Sequence, residues 1–156
     1  MKTSSILLVI NILLLIFIWG FTGVNYAGLP ETLPSHFAVN GTVDGESEKR
    51  AIWFLPGIAT FVSLLLVGIP KNPDSPLLNV PNSYRNRESL KLFAYSILLS
   101  ILLLLLDTVV ESILIAQGKL REMSNAVFVF LALLFVVIGI HIFRMLRERK
   151  SETSKI

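Results

Sequence analysis

Four long apolar runs dominate the chain and are separated by short polar segments. The first, Ile6 to Tyr26, holds no charged residue and is long enough to cross a ~30 Å hydrocarbon layer at about 1.5 Å per helical residue. The run continues past Trp19 and Phe21, beyond the 7–15 residues of a signal-peptide core, so an uncleaved span is expected. The second run, Ile52 to Ile69, opens with the interfacial aromatic Trp53. Its Pro56 falls in the first turns, where a missing N–H costs little, and Gly68 and Pro70 end it. The third runs from Leu92 to Ala116, with Gly118 placed to cap it. The segment Ser83 to Glu88 is a possible lead-in to that helix. The fourth runs from Ala126 to Phe143, with Ser124 or Asn125 as its N-cap. The turn between the last two is so short that they must be antiparallel.

The polar segments carry their own signals. Between the first two spans, residues 28–50 place Asn40-Gly41 between β-prone neighbours, which predicts a short β-hairpin with a type I′ turn. A hairpin this small cannot fold alone and is expected to rest on the helix ends. The loop 70–91 is punctuated by Pro73, Pro76 and Pro81, and the tail from Arg144 is basic and expected to fray. The fold class is therefore an all-α integral membrane protein. It is a four-helix transmembrane bundle with a short extracytoplasmic β-hairpin loop, and residues 1–156 form one membrane domain.

Composition agrees: 53% of residues are hydrophobic, 16% are charged, and mean hydropathy is +0.70. A soluble chain carries about 25% charged residues. There are no cysteines, which excludes disulfides and thiolate metal sites. A net charge of +3 is too small to argue for nucleic acid, and placement matters more. With the N-terminus inside, Lys2, Lys71, Arg85, Arg87, Lys91, Arg144, Arg147, Arg149, Lys150 and Lys155 lie on the inner side. Lys49, Arg50, Lys119 and Arg121 lie on the outer side. This bias predicts a multi-pass cell-membrane protein with both termini in the cytoplasm. The tail's basic cluster reads as a topology determinant, with anionic headgroups as a further role.

Candidate chemistry is sparse. Asp107 and Glu111 are four apart on one face of the third span, roughly 5 and 10 Å outward of its midpoint near Leu104. Ser96 and Ser100 continue that face inward. A carboxylate inside a span marks a functional site or a bundle interior, and two one turn apart would share a proton. His36 lies outside, close to the hairpin turn. Folded onto the bundle mouth, His36 with Asp107 and Glu111 would suit a divalent cation such as zinc, or equally a His–carboxylate bond that docks the loop. Asp44, Glu46 and Glu48 form a solvated acidic patch. His141 is a partner for Asn11 on the inner half, or a cap of its own helix beside Arg144. Asn25 is expected near the carboxylates. No HExxH, CxxC or Gly-rich phosphate loop is present, so a non-enzymatic role is expected.

The string Leu29-Pro30, Leu33-Pro34, Ser35-His36-Phe37, Asn40-Gly41, Asp44, Lys49 and Leu55-Pro56 resembles the family called domain of unknown function 1648. That domain forms the N-terminal part of the SdpI family of integral membrane immunity proteins. Where an aromatic often follows the family's Asp, Gly45-Glu46-Ser47 stands here, and the extra C-terminal spans of SdpI are not expected. The resemblance carries over to His36, Gly41 and Asp44. It implies a membrane protein of the immunity, recognition or signalling type, with a peptide toxin or lipid at its outer face and a cytoplasmic protein partner. His36, Asn40, Gly41, Asp44, Asp107 and Glu111 are the candidate binding residues. A small proton-coupled transporter using Asp107 and Glu111 and a metal-dependent membrane hydrolase are the rival readings. Four short spans make a thin bundle, so a homodimer is plausible.

Overall fold

The computed structural model describes residues 2–76 and 78–153. The chain folds as α1 (Thr3–Tyr26), β1 (Thr32–Phe37), β2 (Val43–Glu48), α2 (Phe54–Gly68), α3 (Arg87–Ala116) and α4 (Ala126–Thr153). Short 3-10 turns at Lys49–Trp53 and Ile69–Lys71 flank α2, and a third at Asn82–Tyr84 precedes α3. With its flanking turns, each of the four helices is long and apolar enough to cross a membrane.

The boundaries follow local chemistry. Asn86 starts α3, its side-chain oxygen accepting from Ser89 N–H at 2.9 Å, with Glu88 in the first turn where the helix dipole favours an anion. At the other end Gly118 takes φ +70°, its N–H bonds Ile115 O at 2.9 Å, and Lys119 N–H bonds Leu114 O at 2.9 Å. That is a Schellman closure on the glycine that the sequence marks. One expectation is corrected. The basic segment from Arg144 does not fray but continues α4 to Thr153, since nothing between 144 and 153 breaks a helix. Residues 154–156 lie outside the described residues.

α3 is the central helix, packing on α1, α2 and α4, while α4 packs chiefly on α3. The buried positions of α1 are Ser4, Asn11, Ile18 and Thr22, and those of α2 are Pro56, Ala59 and Ser63. Both seams are narrow and rich in small or polar residues. Without a hydrophobic driving force between helices in lipid, close approach and hydrogen bonds must supply the specificity. The bonds are present. Asn11 Nδ2 donates to Tyr95 O at 2.9 Å, Ser4 Oγ to Glu88 at 2.6 Å, and Trp19 Nε1 to Thr60 Oγ1 at 2.9 Å. Two further polar residues find partners between helices, one of them other than expected. His141 Nε2 meets Ser96 Oγ at 2.8 Å rather than Asn11, and Asn25 accepts from Gln117 at 3.0 Å.

The hairpin lies over one end of this bundle. β1 and β2 pair antiparallel, with Thr32 opposite Glu48 and Phe37 opposite Val43. The turn differs from the expected one. Ala38 N–H bonds Thr42 O at 2.9 Å, Gly41 N–H bonds Ala38 O at 2.8 Å, and only Gly41 has positive φ. This is the three-residue loop with a left-handed glycine, not a type I′ turn, because Asn40 stays at negative φ. Asn40 instead uses its side-chain oxygen to accept from Thr42 N–H at 3.2 Å and Thr42 Oγ1 at 2.8 Å.

Candidate functional site

The Leu-Pro repeats of the loop are packing anchors. Leu29 and Leu33 are buried in the same cluster as Ile52, Val109 and Ile113, which fastens the base of the hairpin to α3 and the start of α2. The tip is fastened separately. Gly41 O accepts from Met123 N–H at 2.8 Å, in the loop between α3 and α4. Gly41 has φ +87°, and a Cβ there would run into the Met123 carbonyl. The glycine is thus required twice, by its conformation and by the close approach.

Directly beneath, Glu111 is buried and accepts from Ser124 N–H at 2.7 Å. Ser124 Oγ in turn accepts from Ala126 N–H at 3.1 Å and covers one free donor at the start of α4. A continuous path of contacts therefore runs from Glu111 through Ser124 and Met123 to Gly41. Asp107, one turn along the same helix face, has a buried Oδ2 with no hydrogen-bond partner among the described residues.

His36 does not join the carboxylates of α3. Its Nδ1 lies 2.5 Å from Asp44 Oδ1, and its side chain is 75% exposed. Side chains alternate along a strand, and the next residue, Phe37, faces the bundle, so His36 faces away. Two irregularities in the pairing, at Ser35 and Asp44, bring His36 opposite Gly45. A Cβ on Gly45 would approach His36 Cβ to 2.9 Å, so the small residue permits the crossing. Among the described residues no three His, Cys, Asp or Glu side chains gather in a way that would hold a metal. Two of the three carboxylates of the expected acidic patch have partners, Asp44 on His36 and Glu48 on Arg50 at 2.7 Å.

Between the hairpin and the neighbouring ends of α2 and α3 lies a cavity of about 350 Å³. Leu33, Pro34, Phe37, Ile52, Phe54 and Leu55 form apolar walls, while Ser35, Ser47, Thr108 and Ser112 bring hydroxyl groups. Ser47 Oγ donates to Ser35 Oγ at 2.8 Å, and Thr108 Oγ1 donates to Leu104 O at 2.9 Å. An apolar chamber with a few placed hydroxyls is suited to holding an apolar group and orienting its polar end. Sequence reasoning did not single out Thr108 and Ser112. Their spacing, one turn apart in an apolar helix, is the signal that marks them.

No solved structure matches the chain. An uncharacterized protein of Archaeoglobus fulgidus is 27% identical over 90 residues, which cover 54% of this chain. The chain spans about half the length (49%) of that relative. The family model described as a domain of unknown function matches residues 13–60. That stretch runs from the first half of α1 through the whole hairpin to the early turns of α2, so it contains both Leu-Pro anchors, the His36–Asp44 pair and Gly41. Residues 13–60 of this protein match the DUF1648 domain.

Proposed function

We propose that this is a non-enzymatic membrane recognition protein of the SdpI-like type, in which the hairpin roofs an extracytoplasmic binding chamber. The single observation that carries the reading is the 350 Å³ cavity between the hairpin and the ends of α2 and α3. Its walls suit an apolar side chain of a peptide or the end of an acyl chain, and its hydroxyls suit an amide or ester carbonyl. The ties at the hairpin's base and tip support a roof held in place before a ligand arrives, which lowers the ordering cost of binding.

The test is photo-crosslinking of the full chain in lipid nanodiscs with a diazirine-bearing apolar peptide. Labelling is expected on residues 33–37 and 108–112, and Ser112→Leu, which fills the floor without touching either tie, is expected to remove it. Labelling that persists unchanged in Ser112→Leu refutes the reading.

A second reading, proton-coupled transport, is favoured by the unpartnered carboxylate oxygen of Asp107 inside an apolar helix. Proton flux into proteoliposomes that is the same for wild type and Asp107→Asn removes it.

A further inference from the structure

The opposite end of the bundle holds a second, polar cleft. Its volume is about 440 Å³, and it is lined by Tyr84, Arg144, Arg147, Glu148 and Ser151. The cleft is built rather than incidental to a loose tail. Arg149 Nη2 donates to Asn79 Oδ1 at 3.0 Å, and Arg85 Nη2 donates to Leu78 O at 2.9 Å. The first bond holds the loop before α3 against the last turns of α4, and the second folds that loop onto itself. On α4, residues 144, 147, 148 and 151 recur at helical spacing on one face. Among the described residues, neither Arg144 nor Arg147 is paired with a carboxylate.

Position selects the ligand. The apolar run of α4 ends at Phe143, which is 68% exposed. At about 1.5 Å per residue, Arg147 lies roughly 6 Å beyond it, the depth at which lipid phosphates meet the hydrocarbon. Two guanidiniums on adjacent turns present forked donors to phosphate oxygens, and a tyrosine is at home at this interface. Glu148 opposes an anion, which gives the site a test of opposite sign.

We infer that the cleft between the 82–84 turn and the last turns of α4 binds the phosphate headgroup of an anionic phospholipid through Arg144, Arg147 and Tyr84. This inference is independent of the ligand chamber at the hairpin end. The experiment is native mass spectrometry of detergent-purified full chain with phosphatidylglycerol or phosphatidylcholine added. Phosphatidylglycerol is retained by wild type, and the double variant Arg144→Gln, Arg147→Gln lowers its retention by roughly thirtyfold. Glu148→Gln raises retention, which a misfolded protein would not do. Lys71→Gln, the loss of one charge away from the cleft, leaves it unchanged. Equal loss in Lys71→Gln overturns the site in favour of diffuse surface charge, and equal retention of phosphatidylcholine overturns the anion requirement. Displacement of the lipid by inorganic phosphate alone assigns the cleft to free phosphate and overturns the lipid.

Discussion

Replacing Gly41 by alanine tests the tie at the hairpin tip, and replacing Gly118 supplies its control. Both glycines have positive φ, +87° and +70°, so each alanine variant carries a left-handed backbone cost of about 1–2 kcal/mol. They differ in surroundings. A Cβ at position 118 meets nothing within 4 Å, whereas at position 41 it strikes the Met123 carbonyl. Gly41→Ala must therefore also lose the 2.8 Å bond from Met123 N–H to Gly41 O. That loss adds about 1–3 kcal/mol, because the amide is left without its acceptor. The difference between the two variants, about 2 kcal/mol, is roughly a thirtyfold change in the ratio of docked to released tip. Hydrogen exchange followed by mass spectrometry reads this at the Met123 amide, with thermal melting in detergent beside it. Gly41→Ala is expected to expose that amide and to melt below Gly118→Ala. Equal melting, with Met123 still protected, would refute the account of the tip.

Three further outcomes are expected. Glu111→Gln keeps an acceptor for Ser124 N–H and costs about 1 kcal/mol in thermal melting, whereas Glu111→Leu leaves a buried donor unpaired and costs about 2–3 kcal/mol; the reverse order would break the link from Glu111 to the loop. Asp107→Leu removes a carboxylate oxygen that has no partner, so melting should rise, and a marked fall would mean that Asp107 is held by something essential. Zinc or a chelator should leave the melting temperature of wild type unmoved, since a ligand that binds the folded form must shift it.

The helices were legible because their signal is collective. A run such as Ile6 to Tyr26 cannot be satisfied in water, and no single residue decides it. Gly118 was legible for the opposite reason, since one backbone geometry demands it. The hairpin was legible from Asn40-Gly41, but its loop was not, because the choice between two and three residues depends on where the strands pair. That pairing includes irregularities at Ser35 and Asp44 that no local pattern announces. The site was less legible still. His36, Asp107 and Glu111 were grouped by depth, yet depth says nothing about which way a strand residue points. The bond from Ser96 to His141 joins residues 45 apart and rests on how α3 and α4 are rotated, which periodicity in two featureless apolar helices does not fix.

That pairing has a consequence for how α4 can move. Glu111 holds Ser124 at one end of the helix, and Ser96 holds His141 further along it. Seventeen residues separate the two pins on the chain, roughly 25 Å at 1.5 Å per residue. Two fixed points on a rod remove both its sliding and its rotation about its own axis. Arg149 on Asn79 holds the far end as well, so releasing Glu111 from Ser124 would let the near end of α4 swing about His141 rather than let the whole helix travel as a piston. A signal that reaches the Glu111 end would then move α4 by an amount that grows with distance from His141, and would be largest at Ser124, beside the Met123 amide that fastens the hairpin tip.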